Sequence, residues 1–353
     1  MKVALLGATG SIGKSTLDVI RSDPDSFEVV LLTAHRNREL LEKIAKEFPH
    51  ARIAVSNIPE AIIESGADIV INGIAGSAGL EPSRVTLENG IDLALANKES
   101  IVMAGPLLRE CAARTGAKII PVDSEHSAIF RLLERSGEID EILLTASGGP
   151  FRTLSKETLA CVGPEEALHH PTWNMGAKIS LDSATMANKG LEVIEAARLF
   201  DLPVEKIKVV IHPQSIVHSM IRLHDGSVYA QLSQPDMRLP IQFALYYPDS
   251  APKLCIETLH FDDLTLHFES PDPERFPMLP LAYQAHKTGP LYPIAYNAAN
   301  EIAAEAFLSG SIHFMDIARI TEQVLMHGWT GELKWESVWK TDHDARNLAK
   351  SII

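Results

Sequence analysis

The sequence predicts an α/β protein built around a parallel sheet, and three observations carry that prediction. Short apolar runs alternate with helix-period patterns from the N-terminus to about residue 122. A glycine-rich turn, Gly7-Ala8-Thr9-Gly10-Ser11-Ile12-Gly13, separates the first run from the first helical pattern. From Leu281 onward the pattern is helical only. A chain of 353 residues exceeds what one core accommodates, so two or three domains are expected. The expected division is an α/β domain over 1–122, a second α/β domain over 123–247, a linker over 248–280, and a small C-terminal α-helical domain over 281–353.

Val3–Leu6 reads as a buried strand, and Leu17, Val19 and Ile20 mark the helix that follows. Strand, glycine loop and helix form a context for phosphate binding. Glycines let the backbone approach a pyrophosphate, and the helix N-terminus faces the anion. The spacing is G-x-x-G-x-x-G, and an ordinary βα turn is the competing reading. The next strand, Phe27–Thr33, ends in Ala34-His35-Arg36-Asn37. No acid stands there to hold a ribose 2′-hydroxyl, whereas Arg36 offers charge and donors to a 2′-phosphate. Residues 1–122 therefore read as a Rossmann-like NADPH-binding domain, unless Arg36 merely closes a surface loop.

Further strand-like runs at Arg52–Val55, Asp68–Ile71, Asp92–Ala96 and Lys118–Val122 complete the sheet, with right-handed crossovers between them. Asn97-Lys98-Glu99-Ser100 lies at a strand end, where it serves as a helix cap or as part of a site. Pro121-Val-Asp-Ser-Glu-His-Ser-Ala-Ile-Phe130 places Asp123 and Glu125 two residues apart where an apolar run ends, ahead of a helix expected near Ser127. Such a pair fits a hard divalent cation or a solvated turn.

Asp140–Ala146 is another strand, and Ser147-Gly148-Gly149-Pro150 after it fits an anion cradle or a turn. His169–Gly176 carries Trp173 and Met175, and fits either a lid or a surface loop whose Trp is tucked inward. Ser183 is the expected N-cap of a helix that runs to Leu199. On that helix Asn188, Lys189 and Glu192 share a face, either as a solvated ion pair or as an anion-binding group beside a third metal oxygen. Ile211–Ile221 reads as one strand, followed by an Asp225-Gly226 hairpin turn; the sheet edge there could pair across a dimer. His218 reads as structural or supporting. The proline-rich tract to Pro280 is a linker with room for one short strand, and Trp329, Trp335 and Trp339 read as packing residues.

Composition limits the function classes. The formal net charge of −14 argues against a nucleic-acid or anionic-membrane surface. Three scattered cysteines fit a reducing cytoplasm, and the apolar N-terminus is too short for a signal peptide. No stretch is long and apolar enough to span a bilayer.

Seven motifs in order, the glycine loop, Asn97–Ser100, Pro121–Phe130, Ser147–Phe151, His170–Trp173, Ser183–Glu192 and Gln234–Arg238, resemble the 1-deoxy-D-xylulose 5-phosphate reductoisomerase family, with a weaker echo at Tyr296-Asn-Ala-Ala-Asn-Glu301. The resemblance implies that Thr9, Gly10, Ser11, Ile12, His35, Arg36, Asn37, Asn97, Glu99 and Gly176 contact NADPH. It implies that Asp123, Glu125 and Glu192 bind Mg²⁺, Mn²⁺ or Co²⁺. Ser147, Ser183, Asn188 and Lys189 would hold the substrate's phosphate side, and Lys98, Ser124 and His170 the rest of the substrate, with Trp173 and Met175 on a flap. The implied reaction rearranges a ketose phosphate and then reduces it to 2-C-methyl-D-erythritol 4-phosphate, in a homodimer on the methylerythritol phosphate route to isoprenoids. His35 stands where the family often has glycine, and Arg131 where glutamine is expected. The competing readings are another NADP-linked dehydrogenase of a small phosphorylated compound and a non-catalytic NADP(H)-binding regulator. Replacing Arg36 by Asp should erode the preference for NADP(H) over NAD(H). An unchanged ratio of kcat/KM for the two cofactors would remove Arg36 from the 2′-phosphate site.

Overall fold

The computed structural model describes residues 1–134, 138–173 and 175–353, so Asn174 of the expected lid lies outside the described residues. They form two compact units. One comprises Met1–Ser100, Leu108–Arg131 and Asp236–Leu259, and the other Ile101–Leu107, Leu132–Pro235 and His260–Ile353. The four-part division read from the sequence follows the order of the chain, whereas these units interleave its segments.

The first unit is organised by six parallel strands: β1 (Lys2–Leu6), β2 (Glu28–Thr33), β3 (Arg52–Ala54), β4 (Ile69–Asn72), β5 (Asp92–Leu95) and β6 (Ile119–Pro121), in the order β3-β2-β1-β4-β5-β6. Val3 to Leu6 and Ile69 to Ile71 are buried without polar alternation, as strands covered on both faces must be. Helix Ser11–Ser22 contributes Leu17, Val19 and Ile20 to the core. Helix Arg238–Tyr246 adds Ile241, Ala244 and Leu245 to the same core, which is why Asp236–Leu259 returns to this unit. Tyr246 meets Phe27 edge-to-face at 5.1 Å and donates its hydroxyl to Asp23. The unexpected Arg131 lies over the Phe243 ring at 4.9 Å, a cation–π contact inside this unit.

The second unit holds a mixed sheet of β7 (Ile139–Ala146), β8 (Ile207–Ile211), β9 (Val217–Leu223) and β10 (Val228–Leu232), ordered β10-β9-β7-β8. The single strand expected over Ile211–Ile221 is two strands. Pro213 has no N–H to give a ladder, Ser215 adopts φ of 54°, and the His212 ring accepts the Ile216 N–H at 3.2 Å, which turns the chain. The Asp225-Gly226 hairpin stands as expected, with β10 antiparallel to β9. Ser183 is not an N-cap: it sits within helix Ala177–Ala184, and a second helix, Ala187–Phe200, follows Met186 at φ of 62°. Helices Met278–Thr288, Tyr292–Leu308, Asp316–Met326 and Trp335–Ile352 complete the unit. The proline-rich tract forms only an isolated bridge, between Ile211 and Glu269, among the described residues.

Helix Lys98–Thr115 is kinked, with Ala104 at φ −139° and ψ 22° and Pro106 inside. Pro106 cannot donate to the Val102 carbonyl. The buried Arg198 guanidinium donates to Val102 O at 2.7 Å and to Met103 O at 3.2 Å, and reaches Pro290 O at 2.8 Å. Burial lowers Arg198 to about 10, so it remains a cation at neutral pH. Arg198→Met should lower the unfolding free energy by roughly 3 kcal/mol or more, since three buried carbonyls lose a charged donor. A urea unfolding transition that moves by less than about 0.5 kcal/mol would contradict this role.

His218 on β9 is 5% exposed and bonded to Ser233 through Nε2 at 2.9 Å. Burial pushes it from 6.5 down to about 4. Between those values the unfolded chain binds a proton that the native ring refuses, so the stability this ring contributes is present above 6.5 and lost as pH falls through the window. One such group makes a slope of about 1.4 kcal/mol per pH unit. His218→Gln should flatten the measured dependence of unfolding free energy on pH from 6.5 to 4 by about that amount, and an unchanged slope would contradict the burial argument.

Candidate active site

In the first unit the strand order reverses between β1 and β4, and ligands of open α/β sheets bind outside the strand C-termini at such a point. The glycine loop leaves β1 there. Gly7 has φ of 78° and donates to Thr33 Oγ1 at 3.1 Å, which ties the loop to the end of β2. A Cβ on Gly13 would lie 2.4 Å from the Gly7 carbonyl oxygen, so only glycine lets the helix start this close to the strand. Gly10 and Ser11 are exposed at the helix N-terminus, and Thr9 and Ile12 are half-buried beside them. No side chain caps this helix through a hydrogen bond, as the phosphate-binding reading of its start requires. His35, Arg36 and Asn37 are all exposed beyond β2. Asn37 has a second task, because its side chain caps helix Arg38–Ala45 at the Leu40 N–H, 3.0 Å away.

Asn97 differs from the expectation of a simple cofactor contact. It is 2% exposed and caps its helix by accepting from the Ser100 N–H. Its amide donates to Ile74 O, Gly76 O and Glu99 Oε2, each at 2.8 Å. With Asn72, which donates to Gly79 O at 2.8 Å, it fixes the glycine-rich 72–80 loop. The cap reading of Asn97–Ser100 therefore holds at Asn97.

Asp123 and Glu125 lie where the helix Ser124–Leu133 begins, three residues earlier than expected, because the Asp123 carbonyl accepts the first helical bond from the Ser127 N–H at 2.8 Å. Glu125 stands in the first turn, where the helix dipole favours an anion. Lys98 Nζ reaches Asp123 Oδ2 at 2.5 Å, with both side chains 10% exposed. Ser124 donates to Glu125 Oε2 at 2.6 Å. His126, to which the sequence assigned no role, is fully buried with Nδ1 3.9 Å from Asp123.

In the second unit Ser147 follows the end of β7. The His170 Nδ1 accepts two amides, from Thr172 at 3.1 Å and from Trp173 at 2.9 Å, so its proton belongs on Nε2. Nε2–H then donates to Ser147 Oγ at 3.0 Å, and the Gly149 N–H reaches the same oxygen at 3.2 Å. With both lone pairs engaged, the Ser147 hydroxyl is left with only its proton to offer. Burial pushes His170 to about 4, which keeps it neutral. Gly149, at φ of 70°, brings this turn against the Ser183 carbonyl, 2.5 Å from where a Cβ would stand. Two of the expected phosphate-side serines thus belong to one locality.

Lys189 and Asn188 both donate to the Glu192 carboxylate. Lys189 is 4% and Glu192 1% exposed, so the solvated-face reading of this helix is set aside. Trp173 packs edge-on to His218 at 6.4 Å, which favours the inward-tucked reading of its loop, while Gly176 is exposed at the start of helix Ala177–Ala184. The sequence assigned no role to Asp182 or to Asn300. Both are buried and bonded to each other at 2.9 Å, a pairing 118 residues apart that no local pattern signals.

Family models agree with this arrangement along the chain. The model for 1-deoxy-D-xylulose 5-phosphate reductoisomerase matches residues 3–62 and 56–105, that for its C-terminal domain residues 119–200, and a further one, the DXP reductoisomerase C-terminal domain, residues 232–348. Reductoisomerases so named from Treponema pallidum (strain Nichols) and Chlorobaculum tepidum are each 46% identical to the chain. The alignments cover 100% of this chain and 97% of the first, and 99% of this chain and 99% of the second. A solved reductoisomerase from Zymomonas mobilis in complex with NADPH is 42% identical, covers 99% of this chain and 98% of its own, and has a TM-score of 0.89. A DOX-P reductoisomerase solved with NADPH, fosmidomycin and magnesium is 38% identical, with the same coverages and a TM-score of 0.93. The chain belongs to the 1-deoxy-D-xylulose 5-phosphate reductoisomerase family.

Proposed function

We propose that this chain converts 1-deoxy-D-xylulose 5-phosphate to 2-C-methyl-D-erythritol 4-phosphate, with NADPH and a divalent metal, on the route to isoprenoids. The carbon skeleton is rearranged by breaking and remaking one carbon–carbon bond, and the branched aldehyde is then reduced. The observation that carries this reading is the presence, on one chain, of a dinucleotide cradle at Gly7–Gly13 and a donor-only hydroxyl at Ser147.

The residues fit both groups. The cradle at Gly7 and Gly13 tolerates no side chain, which suits a pyrophosphate against the backbone. Thr9, Gly10, Ser11 and Ile12 would face it, with His35, Arg36 and Asn37 at the 2′-phosphate, Asn97 and Glu99 holding the neighbouring loop, and Gly176 on the second unit. Asp123, Glu125 and Glu192 offer carboxylate oxygens only, the donor set of a hard cation. When bound, such a metal would polarise a carbonyl and chelate adjacent oxygens. Ser147, Ser183, Asn188 and Lys189 would grip the phosphate, which suits a donor-only hydroxyl, a second hydroxyl, an amide and an ammonium. Lys98, Ser124 and His170 would orient the remainder, with Trp173 and Met175 excluding water. The assignment gives 1–122 to the cofactor, 123–247 to catalysis and 281–353 to support.

A homodimer is part of the reading. It is supported by the outer edge of β10, where Val228 is 45% and Tyr229 53% exposed on an unpaired sheet edge. A reducing, cytoplasmic setting is supported by the free thiols Cys111, Cys161 and Cys255. Among the described residues no helix is long and apolar enough to cross a membrane.

Mixing the protein with NADPH, Mn²⁺ and 1-deoxy-D-xylulose 5-phosphate should consume the reduced-nicotinamide absorbance, and chelating the metal should stop it. Glu192→Gln should abolish this turnover while leaving NADPH binding intact. Folded protein that shows no substrate-dependent oxidation would sink the proposal, and full activity in the glutamine variant would remove Glu192 from the metal site.

A further inference from the structure

The Tyr296–Glu301 motif lies on helix Tyr292–Leu308 of the C-terminal helical region, and nothing in the proposed chemistry uses it. Tyr296 and Asn300 are four residues apart, so they share one helix face, and both are fully buried. Asn300 donates its amide to Asp182 Oδ1 at 2.9 Å, while Lys178 reaches Asp182 Oδ2 at 2.5 Å. Asp182 immediately precedes Ser183 on helix Ala177–Ala184. Tyr296 touches the next helix instead. Its hydroxyl lies 2.7 Å from where a Cβ on Gly190 would stand, so glycine is needed between Lys189 and Leu191 for this approach, and the hydroxyl donates to Met278 O at 3.0 Å.

The two helices are joined through Met186, a buried non-glycine residue at φ of 62°. A side-chain-bearing residue holds this conformation only where its surroundings over-determine it. Here one face of a third helix grips the chain on both sides of the junction.

We propose that Asn300 and Tyr296 are positioning residues for substrate: together they set the angle between the helix bearing Ser183 and the helix bearing Asn188 and Lys189, so that the two present their donors to one phosphate group. The proposal rests on the phosphate-side assignment of Ser183, Asn188 and Lys189 made above. Burial first, and the Asp182 charge second, push the Tyr296 hydroxyl well above its usual range, so it stays a donor to Met278. The C-terminal helices thereby act on the reaction without touching the reacting atoms.

The test uses the full-length enzyme with NADPH, Mn²⁺ and 1-deoxy-D-xylulose 5-phosphate. Asn300→Leu removes the donor to Asp182. It should raise KM for the sugar phosphate about tenfold, the scale of one lost buried hydrogen bond, with a much smaller change in kcat. NADPH affinity, titrated by fluorescence without substrate, should not change. The reciprocal exchange Asp182→Asn with Asn300→Asp keeps one amide facing one carboxylate and should bring KM back toward wild type, whereas Asp182→Asn alone should not. Ser183→Ala, measured alongside, separates the two layers of argument. If it leaves KM unchanged, the phosphate assignment fails. If it raises KM while a folded Asn300→Leu does not, positioning is overturned. If Asn300→Leu does not melt cooperatively, the reciprocal exchange decides, and a KM no better than that of Asp182→Asn overturns the proposal.

Discussion

A buried carboxylate needs a cation or a hydrogen-bond donor beside it, and that constraint organises both units. Asp123 faces Lys98, Glu192 faces Lys189, and Asp182 faces Lys178, each with little solvent access. Removing an ion from water costs several kcal/mol unless its partner is close and well placed. Each pair therefore fixes more than its own two residues. Lys98 is where it is because Asn97 caps its helix, and Lys189 because Gly190 lets its helix approach Tyr296. Within each unit the lysine therefore holds its carboxylate in place.

Much of the fold is legible because parallel strands covered on two faces show as uninterrupted apolar runs, and the helices between them show as period-3.6 patterns. β1, β2, β4 and β5 are of this kind. Where the structure departs from the reading, the cause is a contact or a backbone turn that composition does not show. The run from Ile211 to Ile221 has strand composition throughout, yet Pro213 and the His212 ring break it into two strands. Ser183 has the composition of an N-cap, but the preceding residues from Ala177 are already helical, and the break falls at Met186, a residue type that carries no turn signal. Asp236–Leu259 joins the first unit through the apolar face of helix Arg238–Tyr246, a tertiary preference that chain order hides.

The candidate site divides in the same way. Spacing reports which side chains share a face, so the Asn188, Lys189 and Glu192 group could be read directly, and the structure joins them. Spacing does not report partners. That Asn97 is fully engaged in capping and loop-holding follows from contacts to Ile74 and Gly76, more than 20 residues away. Asp182 and Asn300 are ordinary helix residues until they are buried together. Arg131, read as a departure from the family pattern, finds its reason in Phe243, far along the chain and on the segment that folds back.

The pairing of Ser147 with His170 shows how such long-range contacts define chemistry. A lone serine at a strand end can donate or accept, and so selects for nothing. Here the loop after His170 turns so that two amides point at Nδ1, and this forces the ring proton onto Nε2 and toward Ser147. Protonating His170 fully would require Nδ1 to expel both amides as well as to charge a ring that burial already holds near 4. The loop conformation and the direction of the serine proton are therefore one state: as long as the 170–173 turn is intact, Ser147 is left to act as a donor.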